Sequence, residues 1–190
     1  MSYCETLRLQ AAPGKAANVL LSLAGLTDVG LWSVDIGLLN RIYVMRVSDS
    51  QEALDAAPLD APEASLPFLQ GVERTRWRCL GAGPKPAGHY GGVYEWRCYD
   101  VNPGRLAEAE ALFLASLPGR ETLSPLVAVM ASIDGPQRFA HLWPYTDPNA
   151  RAAIRARSVQ EGLWPPPGFA LTVSRMENEL LIPAQNSAWR

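Results

Sequence analysis

Two stretches of this chain repeat one another ninety positions apart, and that repeat limits what the chain can fold into. Glu5 lies in Cys4-Glu5-Thr6-Leu7-Arg8-Leu9, and Glu95 in Tyr94-Glu95-Trp96-Arg97-Cys98-Tyr99. Each stretch leads into a turn of the same kind, Pro13-Gly14-Lys15 and Pro103-Gly104-Arg105. A second pair, Ile36-Gly37-Leu38-Leu39-Asn40-Arg41 and Ile133-Asp134-Gly135-Pro136-Gln137-Arg138, is offset by 97 positions at its arginines. A longer helix or loop in the second copy accounts for the drift. Self-similarity at a nearly fixed offset marks a structure built from repeated units. Two copies are therefore expected, 1–80 and 93–190. The Gly- and Pro-rich stretch 81–92 reads as the linker between them.

Each copy reads alike. A short strand (3–9, 93–100) runs into a Pro-Gly turn and then a run of good helix formers, such as Leu106 to Leu112. Two strands follow around a tight turn (29–36 with 40–47, 126–133 with 138–145). A second helix starts beside an Asp, over 50–57 and 148–161, and a last strand covers 71–80 or 169–182. The order βαββαβ is a ferredoxin-like unit. The predicted fold class is α+β, with two such units setting their sheets face to face and their helices outside.

Composition removes several functions. Of 190 residues, 48% are apolar and 19% charged, enough for a packed core. A net charge of -2 argues against nucleic acid as a partner. The longest apolar run, Leu126 to Ala131, falls far short of the roughly 20 residues that span a bilayer, so no membrane insertion is expected. No signal peptide is visible at the N-terminus. The three cysteines, Cys4, Cys79 and Cys98, lack metal-ligand spacing and read as free thiols in a cytoplasmic, reducing setting. Neither a metal nor a cofactor is expected: phosphate-binding loops, nucleophile elbows and zinc-protease motifs are all missing. Arginine outnumbers lysine 15 to 2, as in a GC-rich bacterial genome.

The stretch from Tyr94 to Arg105 resembles the opening of the NIPSNAP family. Trp32 to Arg41 resembles that family's strand-turn-strand motif, His141-Leu142-Trp143-Pro144-Tyr145 the segment after it, and Arg151 to Trp164 its second helix. The resemblance covers nearly the whole chain as two tandem copies. It implies membership of the dimeric α+β barrel superfamily, with ferredoxin-like halves closing a barrel around a cavity. Superfamily relatives include monooxygenases, chlorite dismutases and small-molecule binders. Eukaryotic NIPSNAP proteins are linked to vesicle transport and to recruiting autophagy machinery.

Strand alternation groups the candidate site residues. Glu95, Arg97 and Tyr99 share one face of their strand, and His141, Trp143 and Tyr145 one face of theirs. A helix-covered face should be apolar, so Tyr94, Trp96 and Cys98 are expected under the helices. Glu95, Arg97, Tyr99, His141 and Trp143 are then expected to line the barrel cavity, joined by Asp35 and Arg41 from the first copy. His141 is the candidate acid or base, with Glu95 setting its tautomer or pKa. Arg97 suits a carboxylate or other polar group on a small organic ligand. The tryptophans Trp32, Trp143 and Trp164 could stack on a planar one. Each group also has a plainer reading, as a hydrogen-bonded core histidine, a strand-bridging ion pair or core aromatics. Arg151, Arg155 and Arg157 read as a solvated helix face, and Cys98 as an inert buried thiol. The first copy carries Leu7, Val44 and Arg46 where the second has Arg97, His141 and Trp143, so any site should draw mainly on the second half. The expected function is small-molecule binding. A cofactor-independent monooxygenase or isomerase using His141 is one alternative, and a protein-interaction module is another. A homodimer of barrels is the expected assembly.

Overall fold

A computed structural model describes every residue from Met1 to Arg190. The first half runs β1 (Tyr3–Ala11), α1 (Ala16–Ser22), β2 (Gly30–Ile36), β3 (Arg41–Ser48), α2 (Gln51–Ala56) and β4 (Leu69–Cys79). The second runs β5 (Val93–Val101), α3 (Leu106–Glu121), β6 (Ala128–Ser132), β7 (Arg138–Tyr145), α4 (Pro148–Gln160) and β8 (Val173–Pro183). A 3-10 turn precedes the last strand of each half, at Glu63–Phe68 and Phe169–Thr172. Local chemistry explains the boundaries. Gly14 and Gly104 both take φ +74 in the turns before α1 and α3, a conformation that glycine adopts without strain. The Ser50 hydroxyl accepts from Ala53 N at 3.1 Å to start α2. The Asp147 carboxylate accepts from Asn149 N and Ala150 N at 2.8 and 2.9 Å to start α4, with Pro148 in the first turn, where its missing N–H costs nothing.

All eight strands form one closed antiparallel barrel in the order β1-β3-β2-β8-β5-β7-β6-β4. Within it the first half keeps the neighbours β4-β1-β3-β2 and the second β8-β5-β7-β6, the same order twice. The halves do not simply stack face to face. Their edges hydrogen-bond, β2 to β8 with Trp32 opposite Pro183, and β4 to β6 with Trp77 opposite Ser132. An open edge strand carries a row of unpaired N–H and C=O groups, and each half satisfies the other's. The segment joining the halves is tied down as well. Lys85 N donates to Val127 O at 2.8 Å, and Gly88 forms an isolated parallel bridge with Trp189.

The barrel interior is solid. Trp32, Tyr43, Trp77, Tyr94 and Trp96 fill it together with Leu142 and Leu181. Trp96 packs on Tyr43 with centroids 5.2 Å apart and on Trp77 at 6.0 Å, while Trp32 meets Tyr94 at 5.5 Å. An eight-stranded barrel is just wide enough for side chains to fill, and here rings occupy the space where a ligand cavity was expected. One mouth carries ion pairs: Arg8 with Glu73, Arg138 with Glu73, and Arg41 with Glu179. Two further apolar clusters lie outside the barrel wall, under α1 in the first half and under α3 in the second.

Alternation therefore grouped the residues correctly and labelled the faces the wrong way round. Tyr94, Trp96 and Cys98 point into the barrel. Tyr99 and Trp143 lie with Phe113 of α3 in the cluster under the helices, and Glu95, Arg97 and His141 share their side of the sheet. The assumption that failed was an apolar helix-facing side. Arg151 and Arg155, expected on a solvated face, reach from α4 to the Glu95 carboxylate and neutralise it there. Cys98, which was placed under the helices, is instead buried at the barrel mouth.

Candidate functional site

Strands β5 and β7 set the constellation by their register. Glu95 lies opposite Trp143, Arg97 opposite His141, and Tyr99 opposite Phe139. Next along the sheet, β8 places Asn178 opposite Arg97 and Met176 opposite Tyr99. One patch of the outer sheet face thus carries nearly every polar group singled out in the second half, and α3, α4 and the Trp164–Ala170 segment cover it.

Glu95 is the electrostatic centre and is 1% exposed. Its carboxylate accepts from Arg97 Nε at 3.0 Å, Arg151 Nη2 at 2.5 Å, Arg155 Nη1 at 3.2 Å, Asn178 Nδ2 at 3.3 Å and the Tyr145 hydroxyl at 3.3 Å. Burial favours the protonated acid, but the surrounding guanidiniums outweigh it and bring the pKa down to about 2. Arg97 also donates to the Tyr99 hydroxyl at 2.9 Å. Arg120, 3% exposed, stacks 4.5 Å from the Trp143 ring centroid and donates to Tyr145 Oη at 3.1 Å. Three guanidiniums therefore bind one carboxylate and a fourth, Arg120, reaches it through Tyr145, which leaves the patch with excess positive charge.

His141 sits behind this network, 1% exposed. Its Nδ1 accepts from the Trp143 indole N–H at 2.5 Å, and its Nε2 is buried without a partner. Tyr99, Phe113 and Trp164 box the ring at centroid distances of 5.4, 4.9 and 6.3 Å. Burial lowers its pKa well below the ordinary histidine value, and Arg97 adds to the effect. The imidazole is therefore neutral, and because Nδ1 accepts, the proton is on Nε2. The partner that sets its tautomer is Trp143, two residues along the strand, rather than Glu95.

A pocket of about 410 Å³ opens beside these groups. Arg97, Tyr99 and Met176 form its sheet side, and Trp164, Pro166 and Phe169 face them. The Pro165-Pro166-Pro167-Gly168 run, which read as a break in the sequence, is a wall of this pocket. Asn178 and Arg120 also join this polar cluster and escaped sequence reading; neither sits in a motif, and only strand register and helix packing bring them in. Asp35 is exposed, and Arg41 binds Glu179 at 3.3 Å at the barrel mouth, so neither joins this constellation. Trp32 is inside the barrel, away from Trp143 and Trp164, whose centroids are 5.9 Å apart.

The first half shows what the same face looks like without this polar cluster. Leu7 lies opposite Val44 and Leu9 opposite Ile42, and all four are almost fully buried in an aliphatic cluster. Glu5 alone is retained, accepting from Arg46 Nη2 at 2.8 Å and Leu59 N at 2.7 Å. A buried Glu–Arg cluster is thus common to both halves, whereas Arg97, Tyr99 and His141 distinguish the second.

Comparison with known proteins agrees with this architecture. The NIPSNAP family model matches residues 94–188, half of the chain. A protein of Dictyostelium discoideum named "Protein NipSnap homolog" is 30% identical over 96 residues, covering 49% of this chain and 43% of that protein. The chain thus spans less than half the length of that relative. Among solved structures, an anthrone oxidase-like protein superposes with a TM-score of 0.67 at 12% identity, over 98% of this chain and 93% of its own. A proposed monooxygenase from Lactobacillus acidophilus does so with a TM-score of 0.66 at 11% identity, over 96% and 93%. At such identities the likeness is one of fold.

Proposed function

The chain belongs to the NIPSNAP family, and we propose that it binds a small planar organic molecule carrying an anionic or strongly accepting oxygen. The ligand sits outside the barrel wall in the second half, between β5, β8 and the Trp164–Ala170 segment. One observation carries this reading: a pocket of about 410 Å³ with mostly apolar walls and the Arg97 guanidinium at its sheet side. Apolar walls with one placed charge are the usual make-up of a small-molecule site. Phe169 and Trp164 supply flat faces, and the surplus of arginines favours a negative group. The fold neighbours named as oxidase-like and monooxygenase proteins are in keeping with a small organic ligand.

Screening a panel of aromatic acids and phenols by calorimetry tests the proposal. Arg97→Met should weaken a hit by roughly 10- to 100-fold, the worth of one charge-assisted hydrogen bond, while circular dichroism stays unchanged. Equal affinity in both proteins would remove Arg97 from the site.

The unpartnered Nε2 of His141 favours a second reading, catalysis assisted by that nitrogen, in which the ring acts from behind Tyr99 and Trp164, which line the pocket while His141 does not. In the tautomer present, that nitrogen carries an unused N–H, suited to stabilise negative charge developing on a substrate oxygen. Service as a base would need the proton on Nδ1 and the Trp143 contact broken. His141→Gln should abolish turnover of a bound ligand and spare its binding if this reading holds.

A further inference from the structure

The barrel also holds a pair of thiols away from the pocket. Cys4 on β1 and Cys79 at the end of β4 both point inward, with their Sγ atoms 3.1 Å apart. That is closer than the about 3.5–4.0 Å at which non-bonded carbons rest. Cys4 lies opposite Trp77 in the ladder, so Cys79 is its diagonal neighbour, a position that strand twist can bring near. Access separates the two. Cys4 is 0% exposed, whereas Cys79 is 6% exposed and lines a cleft of about 400 Å³ with Met1, Ser2, Arg78 and, from α3, Glu110 and Leu114. Cys98 lies in the charged barrel mouth beside Arg8 and Arg138, without a thiol neighbour.

We propose that Cys4 and Cys79 form a peroxide-reactive pair that closes to a disulfide between β1 and β4. The Cys79 thiolate attacks one peroxide oxygen, the O–O bond breaks, and the departing hydroxide takes a proton to become water. Cys79 is then a sulfenic acid. The Cys4 sulfur attacks the Cys79 sulfur, the S–O bond breaks, and the hydroxyl leaves with the Cys4 proton as a second water. The two thiols give up two electrons in all, and hydrogen peroxide is reduced to water. The sulfurs must close by about 1 Å to reach a bond of roughly 2.05 Å. Contact with Cys79 and burial both hold the proton on Cys4, so that proton must pass to the departing hydroxyl as the Cys4 sulfur attacks, which makes the second step the slower one. The bond would join the start of the chain to the end of β4, where the strand leaves the barrel for the connecting segment.

The test uses the full-length protein. After treatment with hydrogen peroxide it is denatured, alkylated, weighed intact and mapped by peptide mass. The untreated protein should alkylate at all three cysteines. The treated protein should alkylate at Cys98 alone and yield a linked peptide containing Cys4 and Cys79, with reduction restoring all three sites. In Cys4→Ser, treatment should leave a Cys79 sulfenic acid that dimedone traps. Survival of all three thiols, over-oxidation of Cys79 without a link, or a disulfide between two chains would each overturn the proposal.

Discussion

His141 and Glu95 are both buried, and both make stability depend on pH, over different ranges. The folded His141 resists protonation, whereas in the unfolded chain it binds a proton below about pH 6.5. Its contribution is therefore complete above that pH and declines as pH falls, by up to about 1.4 kcal/mol per unit. His141→Asn keeps an acceptor for the Trp143 indole but does not titrate. Denaturant melts from pH 7 to 5 should show that slope in the wild type and a flatter one in the variant. Glu95 acts lower on the scale. With its folded pKa depressed to about 2, its stabilisation is present above the unfolded carboxyl value and is lost as pH falls from there toward 2. Removing one partner of a buried ion pair costs about 3–5 kcal/mol. Glu95→Gln should lose about that much at pH 7, measured by urea unfolding, and should also lose the acid limb below pH 4.5.

Among the elements, α4 behaves least like its sequence. Its arginines look like a solvated stripe, yet Arg151 and Arg155 bind Glu95 through side chains that are 19% and 40% exposed. Those contacts hold the helix over the sheet beside the pocket. Arg151→Ala with Arg155→Ala should raise amide exchange across Pro148–Gln160 and leave exchange in β1 and β3 unchanged. Uniform acceleration throughout the chain would mean that the arginines support the whole fold rather than this helix. Strand positions were readable within a residue or two at most ends because alternation and turn chemistry agree there. The last strand was read as starting at 169, but a 3-10 turn over Phe169–Thr172 comes first and builds the pocket wall. A run of four residues rich in apolar side chains carries no period long enough to separate a strand from a turn.

For the molecule as a whole, the shared interior is decisive. Trp96 from the second half packs on Tyr43 and Trp77 from the first, and both seams between the halves are hydrogen-bonded. Neither half can lose its structure without exposing the other's core, so calorimetry should show one unfolding transition. Two resolved transitions would mean that the halves are separable. The closed barrel also leaves no strand edge for a partner, so a homodimer, if it forms, joins through outer surfaces. Such a dimer should show a melting temperature that rises with protein concentration, whereas a constant value would mean that the chain melts as a monomer.

The repeat spacing, the Pro-Gly turns and the alternation along β5 and β7 were enough to establish the two-unit order, the strands and the set of residues sharing a face with His141. The first half's Leu7 and Val44 likewise marked the second half as the one with polar character. Which side of the sheet that set occupies could not be read from the chain. Both sides of this barrel wall are buried, one by rings from across the barrel and the other by helices, so no solvent-facing side exists to label the pattern. Arg151, Arg155 and Asn178 arrive at Glu95, and Arg120 at its neighbour Tyr145, from positions 25 to 83 residues away from Glu95. A buried carboxylate and the arginines that neutralise it are matched in space, and only the packing of α3, α4 and β8 over one patch of sheet brings them together.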